Sequence, residues 1–413
     1  MKKFLTLMII LTGAIALVAC NGDSEPAPNV VISKMFNATN AANDSWQTSD
    51  NVVELYNNSD YDVKLTYNLV LRIFREGRQD VVNDFAIEGT IAANSFFVIV
   101  GANHTNAAVR AKADFIVAEN MLFNGDDPIG LLWQGTLFDI VGAVGFTNVF
   151  SRFQTLIRMG ELNELTPSIN FDSNDPHFIG YVPNLWEYIG RWDHQIRTKE
   201  QLLEGPRLEE RYKTMPFSVP RGNGIVGGGG AIRATLTSIA DGDTASFHSS
   251  ELIALDLNPS VRYRFINTPE VPNPHVPPEP WGLVASHFNR NYIHRGNLGQ
   301  GQAIYLQSVP GLTLSDTTSS RRTLAIVWVE GHLQPFLMVR EGLSGFTVGV
   351  TPGDIGLSYR NVLIHSFLTV AQIFARNNNL SIWAGDAAAP DWDSGPVTSG
   401  WQASWQPHTP LPW

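Results

Sequence analysis

Two stretches of the chain decide the fold of its C-terminal part. Residues 234–244 read ATLTSIADGDT, in which a strand-like run leads into an Asp-Gly-Asp-Thr turn. Residues 262–270 read RYRFINTPE and begin eighteen positions after that turn. Each stretch alone is weak evidence, because aspartate and glycine most often mark ordinary turns. Their occurrence together, in this order, is the most informative pattern in the sequence.

The length and composition limit the classes of protein to which the chain can belong. With 413 residues it is too long for one ordinary domain of about 100–200 residues and sufficient for two or three. Hydrophobic residues make up 44% and charged residues only 16%, which excludes a disordered acidic chain and a coiled coil. The formal charge of −11 argues against nucleic-acid binding through overall charge. The acidity lies mostly in the N-terminal part, since residues 221–413 contain 11 Arg, no Lys and 13 Asp or Glu.

The N-terminus has the layout of an export signal. Residues 1–20 read MKKFLTLMIILTGAIALVAC, in which two lysines precede an apolar run that is short for a membrane-spanning helix. The ending Leu-Val-Ala-Cys resembles a bacterial lipobox, and the resemblance implies cleavage before Cys20 and lipidation of this residue. Cys20 is the only cysteine, so the chain can form no intramolecular disulfide. The alternative is an ordinary signal peptide with a chance cysteine.

Changes in pattern along the chain predict its domains. We expect a signal peptide over 1–19 and a polar tether over 20–29, so that the lipid would hold the protein on the extracytoplasmic side of a cell membrane. Short apolar runs between Asn, Asp and Gly turns predict a β-sandwich over 30–192. A helix-prone bridge and a flexible glycine-rich linker are expected over 193–230. A second domain over 231–386 and a tryptophan-rich tail over 387–413 complete a mainly-β protein.

The first of these domains resembles a known family. Residues 53–58 read VELYNN, and residues 123–133 read FNGDDPIGLLW, followed by FDIVG at 138–142. These stretches resemble a lamin-tail domain, which implies an immunoglobulin-like β-sandwich that binds or displays an unknown ligand. Asn124, Asp126 and Asp127 lack the spacing of an EF-hand, which favours a turn over a cation loop. We assign no chemistry to this domain.

The second domain resembles the staphylococcal-nuclease (thermonuclease-like) family. Besides the turn at 241–244 and the stretch 262–270, the matching residues are WGLVASHF at 281–288 and RTLAIVWV at 322–329. The resemblance implies a five-stranded β-barrel of OB type with helices packed on it. It also implies hydrolysis of phosphodiester bonds, which requires an activated water, a positioned phosphate and neutralisation of the charge that develops on phosphorus.

The same resemblance assigns roles to individual residues. Arginine suits the phosphate contacts, a carboxylate suits the general base, and oxygen ligands suit a calcium ion. The implied catalytic residues are Arg262, Glu270 and Arg322. The implied ligands of Ca²⁺ are Asp243, Asn267 and the backbone carbonyl of Thr268, with Asp241 as a supporting carboxylate.

Three departures from the family pattern affect the expected activity. Asn267 occupies a position where the family usually has an aspartate, so the cation site loses one negative charge. The segment before Arg322 is two residues longer than in the family, which leaves Arg321 as an alternative phosphate contact. The loop at 346–350 lacks the tyrosines that would stack on a base, for which Trp281 or Tyr292 could substitute if they are not core residues.

These features predict a surface-anchored, calcium-dependent nuclease that hydrolyses extracellular DNA or RNA. The expected partners are a nucleic-acid substrate, the membrane through the lipid on Cys20, and an unknown ligand of the sandwich. The alternative is a catalytically decayed binding or adhesion lipoprotein that retains the nuclease fold. No Gly-x-Ser-x-Gly, His-Glu-x-x-His or dinucleotide motif points to another chemistry.

Overall fold

The computed structural model describes most of the chain between residues 26 and 389. The described residues are 26–40, 45–46, 50–80, 82–118, 121, 123, 125–145, 150–170, 177–272, 279–295, 303–346 and 356–389. The predicted signal sequence with Cys20, the turn residue Asn124, loop positions 347–350 and the tail tryptophans lie outside them. Within the described residues, no helix is both long and apolar enough to cross a membrane.

The protein is mainly β, which confirms the fold class predicted from the sequence. Its first half contains the strands β1 (Val30–Phe36), β2 (Thr39–Asn40), β3 (Ser45–Trp46), β4 (Val52–Asn57), β5 (Val63–Lys64), β6 (Leu69–Phe74), β7 (Val82–Ile87), β8 (Thr90–Ile91), β9 (Ser95–Gly101), β10 (Phe115–Val117), β11 (Ile129–Trp133), β12 (Thr136–Val141), β13 (Thr155–Arg158) and β14 (Phe178–Tyr181). The helix α1 (Ala107–Arg110) and 3-10 turns at Arg75–Gly77, Leu162–Glu164 and Trp186–Tyr188 connect them.

Two sheets of this half share one apolar core. The first has the order β10-β9-β4-β1-β13-β14, and the second has the order β12-β11-β6-β7. Side chains such as Ile32 and Leu55 from the first sheet meet Leu71 and Leu131 from the second. The opposite side of the first sheet is also covered, because Trp186 packs there on Phe36. Burial on both sides explains why β1 and β4 contain no exposed position.

The second half contains more helix. Its strands are β15 (Ser218–Arg221), β16 (Gly224–Gly227), β17 (Ala231–Ile239), β18 (Thr244–His248), β19 (Ser260–Tyr263), β20 (Ile266–Asn267), β21 (Ile304–Gln307), β22 (Thr323–Val329), β23 (His332–Leu333), β24 (Gly345–Phe346), β25 (Ser358–Tyr359) and β26 (Val362–Leu363). Its helices are α2 (Lys199–Leu203), α3 (Glu210–Thr214), α4 (Ser250–Ala254), α5 (Gly282–Arg295), α6 (Gln334–Arg340) and α7 (Ile364–Asn377), followed by 3-10 turns at Ser381–Ala384 and Asp386–Ala388.

Five of these strands close into a ring. The pairing order is β19-β18-β17-β21-β22, and a parallel pairing of β19 with β22 joins the two ends. Buried side chains including Phe247, Tyr263 and Val327 fill the interior. The register places Thr244 opposite Arg262 and Arg262 opposite Leu324, so the start of β18 and the start of β22 lie on either side of β19.

The glycine-rich stretch at 221–230 differs from the flexible linker expected from its composition. Strands β15 and β16 form a hairpin that pairs Ser218 with Gly227. A Cβ added at Gly227 would lie 2.1 Å from the carbonyl oxygen of Val309, and one at Gly230 would lie 2.1 Å from that of Met215. The glycines therefore permit close backbone packing, which composition alone does not distinguish from flexibility.

The two halves of the chain are joined by a continuous sheet. Strand β26 pairs with β14 at Val362 and Tyr181, which extends the first sheet to β25. Beside this pairing, the Ser366 hydroxyl accepts a hydrogen bond from the Gly180 amide at 3.0 Å and donates one to its carbonyl at 3.1 Å. The second half thus contributes two strands to the sheet of the first.

Candidate functional site

The Asp-Gly-Asp-Thr turn joins β17 to β18 in a tight conformation. The Asp243 amide donates to Oδ1 of Asp241 at 3.0 Å, and the Asp241 amide lies 3.3 Å from the carbonyl oxygen of Thr244. Gly242 is required here, because a Cβ would lie 2.7 Å from Oγ1 of Thr268. This geometry turns the Asp243 side chain inward, where it has no exposed surface.

The buried carboxylate of Asp243 accepts hydrogen bonds from three directions. The Thr268 amide donates to its Oδ2 at 2.7 Å, the Thr244 hydroxyl donates to its Oδ1 at 3.1 Å, and the Arg262 guanidinium also donates to Oδ1. Burial raises the pKa of Asp243 to about 7, the negative charge of Asp241 adds to this increase, and Arg262 opposes it. Asp243 is therefore a carboxylate whose negative charge is incompletely compensated.

Arg262 links two of the predicted calcium ligands. The pairing of β18 with β19 places it beside the turn, and its guanidinium donates one hydrogen bond to Asp243 and another to Oδ1 of Asn267. The Asn267 backbone is fixed by the Ser344 hydroxyl, which accepts from its amide and donates to its carbonyl at 3.0 Å each. The positive charge that lies between Asp243 and Asn267 therefore belongs to the Arg262 guanidinium.

Arg322 approaches the same turn from the other side of β19. Its Nε donates to Oδ2 of Asp316 at 2.8 Å, and its Nη1 lies 3.5 Å from Oγ1 of Thr244. The segment before Arg322, which is two residues longer than in the family that the sequence resembles, forms a closed loop. In this loop the Asp316 amide donates to the Arg322 carbonyl at 2.9 Å. Arg321 is exposed in this loop. Arg322, and not Arg321, is the arginine that the structure brings to the turn.

Glu270 follows Thr268 and is half-buried. Its amide donates to Oε2 of Glu279 at 2.9 Å, and its carbonyl accepts from the Glu279 amide at 3.0 Å. The start of α5 packs on this backbone, since a Cβ at Gly282 would lie 2.1 Å from the Glu270 carbonyl oxygen. Within the described residues, no side chain or amide donates a hydrogen bond to the Glu270 carboxylate.

The oxygen donors at this turn are compatible with a hard cation. The Asp243 carboxylate and the Asn267 amide oxygen meet on the Arg262 guanidinium, and the backbone of Thr268, whose carbonyl is the third predicted ligand, is fixed by its amide on Asp243. Oxygen ligands of these types are the ones that calcium takes in proteins. Across the described ranges, no group of three or more His, Cys, Asp or Glu side chains could hold a metal ion. The donor set thus fits calcium in ligand type and carries little negative charge, while Arg262 competes for two of its members.

Several residues of the site were not predicted from the sequence. Asn289 on α5 is buried and donates to the Asp241 carbonyl at 2.8 Å, and Gln334 donates to Oδ1 of Asn289 at 2.9 Å. Asp316 and Thr244 both contact Arg322, and the Thr244 hydroxyl also donates to Asp243. One signal in the sequence could have identified this contact to the Asp241 carbonyl. It is the presence of a polar residue, Asn289, on the side of α5 that carries buried apolar residues.

The two aromatic residues considered as substitutes for the missing tyrosines do not fill that role. Trp281 is 5% exposed and Tyr292 is 1% exposed, and both belong to the apolar core. Phe346, at the start of the loop in question, packs edge-on against Phe265 and His365. These rings are engaged in packing and do not form a surface on which a base could stack.

No protein-family model matches the chain, and no curated protein matches it.

Proposed function

We propose that the Asp243 turn is the catalytic site of a nuclease that hydrolyses phosphodiester bonds in DNA or RNA. The observation that carries the proposal is that Arg262 on β19 and Arg322, which precedes β22, both contact residues of one turn. Two arginines around a buried carboxylate form an arrangement suited to an anion with several oxygens. Each guanidinium is held in place by a carboxylate, Arg262 by Asp243 and Arg322 by Asp316.

The proposed reaction assigns one task to each side chain. Arg262 and Arg322 bind the non-bridging oxygens of the phosphodiester and stabilise the charge that develops on them. Water attacks phosphorus and gives a proton to Glu270, the bond to the leaving oxygen breaks, and that oxygen takes a proton from solvent to leave as a hydroxyl. The unengaged carboxylate of Glu270, two residues beyond Thr268, supports this assignment.

Calcium is the cofactor that we propose for this site. Asp243, Asn267 and the Thr268 carbonyl would hold it, with Asp241 beside them, and the bound cation would supply positive charge next to the scissile phosphate. Because the Arg262 guanidinium already contacts Asp243 and Asn267, we expect it to release them when it engages the phosphate. Cation and substrate should therefore favour each other's binding.

The remaining parts of the proposal concern the setting of the site. We propose a staphylococcal-nuclease-like barrel, for which the closed ring of five strands is the supporting feature. We also propose a lamin-tail-like sandwich with its own ligand, and a lipid on Cys20 that tethers the protein to the outer side of a membrane. Extracellular nucleic acid would be the substrate in that location.

A second candidate function is a non-catalytic binding or adhesion lipoprotein. The specific observation that favours it is the contact of Arg262 with Asn267, because a guanidinium between the cation ligands stabilises a site without metal. In this case the barrel would have kept its fold but would no longer hydrolyse phosphodiester bonds.

The proposal is tested by digestion of plasmid DNA and of single-stranded RNA with the purified protein, in calcium or in a calcium chelator. We expect cleavage in calcium, and a loss of at least 100-fold in Glu270→Gln. Glu164→Gln, which changes an exposed carboxylate in the first half, is the matched control and should cut normally. Unchanged cleavage by a Glu270→Gln, Arg322→Gln double variant would contradict the site assignment.

A further inference from the structure

An open groove of about 620 Å³ lies on the outside of the barrel. It is formed around the first residues of β17, whereas the Asp243 turn follows the last residues of the same strand. The residues that matter for its chemistry are Lys213, Phe217, Arg233, Glu251 and Tyr305. None of them belongs to the site described above.

The groove combines two cations with an aromatic ring. Arg233 is exposed on β17 and lies directly opposite Tyr305 of β21 in the ladder. The Lys213 ammonium lies 5.0 Å from the centre of the Tyr305 ring. Among the described residues, no carboxylate forms an ion pair with Arg233. The partner of Lys213 is Glu210, whose side chain is 84% exposed and therefore holds the ammonium only weakly.

The one carboxylate in the wall of the groove is already engaged. Glu251 accepts hydrogen bonds from the Ser249 and Ser250 hydroxyls at 2.9 Å each, and these bonds lower its pKa. The two cations, Lys213 and Arg233, outnumber this one carboxylate, so the wall has a formal charge of +1 in a protein whose overall charge is −11. An occupant with negative charge and flat apolar faces is complementary to it.

A polar surface connects the groove to the Asp243 turn. Along β17 the exposed residues Arg233, Thr235 and Thr237 alternate with the buried Ala234 and Leu236. At about 3.3 Å per residue, the eight positions from Arg233 to Asp241 span roughly 26 Å. A single strand of several nucleotides covers this distance, and OB folds bind about 4–16 nucleotides.

We propose that this groove binds single-stranded nucleic acid at a distance from the scissile bond. Arg233 and Lys213 contact phosphates, and one base stacks on the Tyr305 ring face that the Lys213 ammonium covers when the groove is empty. This site would supply the stacking that the loop at 346–350 lacks tyrosines to provide. Its link to cleavage rests on the proposed function, but binding in the groove does not depend on catalysis.

Single-stranded nucleic acid is favoured over a duplex for a geometric reason. The bases of a duplex are stacked on each other and paired, so none can reach Tyr305 without being flipped out. A duplex would use only the two cations, whereas a flexible strand can use the cations and the ring together. We therefore expect a preference for single strands at equal length.

The test is fluorescence anisotropy of a labelled 16-nucleotide oligothymidylate, measured with chelator so that no cleavage occurs. Arg233→Gln and Tyr305→Leu should each weaken binding about fivefold or more. Tyr305→Phe keeps the ring and should bind as the wild type does. Arg290→Gln, which removes an exposed arginine from α5, is the control for the loss of one charge. Unchanged affinity in Arg233→Gln and Tyr305→Leu, or no binding by the wild type, would overturn the proposal.

The same variants distinguish a failure of the groove assignment from a failure of the proposed catalytic function. A dinucleotide is too short to reach the groove from the turn, so Arg233→Gln and Tyr305→Leu should cleave it at the wild-type rate. If the wild type cleaves nothing but the oligonucleotide affinities change as expected, the proposed function fails and the groove stands. If cleavage occurs and the affinities do not change, the groove assignment fails and the proposed function stands.

Discussion

The Arg262 guanidinium donates a hydrogen bond to the buried carboxylate of Asp243. The same guanidinium reaches the Asn267 side chain, so one cation contacts two residues expected to hold calcium. The contact gives Asp243 a cationic partner, and it places an arginine where a phosphate could take over its hydrogen bonds. The stability of the turn and its proposed chemistry therefore depend on the same pair of residues.

Removal of Arg262 should destabilise the fold. Arg262→Ala leaves the Asp243 charge buried without its cation, and we expect a loss of roughly 3 kcal/mol in the free energy of unfolding at pH 8. Because the pKa of Asp243 is raised to about 7, the carboxyl takes up a proton below this pH and the loss should be smaller at pH 5.5. Urea unfolding at both pH values measures the difference. Equal losses at the two pH values would contradict the pairing.

The two adjacent arginines should behave differently in a cleavage assay. Arg322 reaches Thr244, whereas Arg321 is exposed in the preceding loop. We expect Arg322→Gln to lower kcat by about 100-fold or more, as for the loss of one charge-stabilising donor. Arg321→Gln removes the same charge one position earlier and should leave kcat unchanged. A larger effect of Arg321→Gln would reverse the assignment.

The hairpin at 218–227 allows a matched pair of glycine substitutions. A Cβ at Gly227 would lie 2.1 Å from the Val309 carbonyl oxygen, whereas a Cβ at Gly224 meets no atom within 4 Å. We expect Gly227→Ala to destabilise the protein by about 2–3 kcal/mol and Gly224→Ala by less than about 0.5 kcal/mol. Thermal or urea unfolding distinguishes them. If both variants are as stable as the wild type, the stretch is a flexible linker and not a packed hairpin.

His194 should make the protein sensitive to acid. Its ring is fully buried, and within the described residues neither ring nitrogen has a hydrogen-bond partner. Burial lowers the pKa of His194 to about 3, and the charges of Lys34 and Arg197 act in the same direction. Because the unfolded state binds the proton first, the contribution of His194 to stability is present above about pH 6.5 and is lost as the pH falls towards 3.

His194→Phe keeps the aromatic contacts with Tyr181 and Trp192 and removes the titration. Between pH 7 and pH 5 the wild type should lose roughly 2 kcal/mol more unfolding free energy than this variant. Denaturant unfolding at the two pH values provides the comparison. Parallel losses in the two proteins would show that His194 is protonated without cost in the folded state.

The sequence predicts those features that depend on residues close to one another along the chain. The mainly-β class follows from short apolar runs. The proximity of Asp243, Arg262 and Arg322 comes from ladder registers between neighbouring strands, and the sequence indicated it only through the family resemblance. Glycine content, in contrast, does not report whether 221–230 packs closely. The pairing of Val362 with Tyr181 joins residues distant in sequence through a single pair, and no local pattern encodes it. The contact of Arg262 with Asn267 depends on a side-chain conformation, which residue types alone do not specify.

The central claim is that the Asp243 turn is a working, calcium-dependent phosphodiesterase site. A calcium titration of oligonucleotide cleavage by the wild type and by Asn267→Asp tests it most directly. We expect both proteins to cut, and the variant to reach half-maximal activity at a severalfold lower calcium concentration, because a second carboxylate strengthens the cation site. A wild type that cuts in neither calcium nor chelator, beside an Asn267→Asp variant that cuts in calcium, would contradict the claim and establish a decayed site.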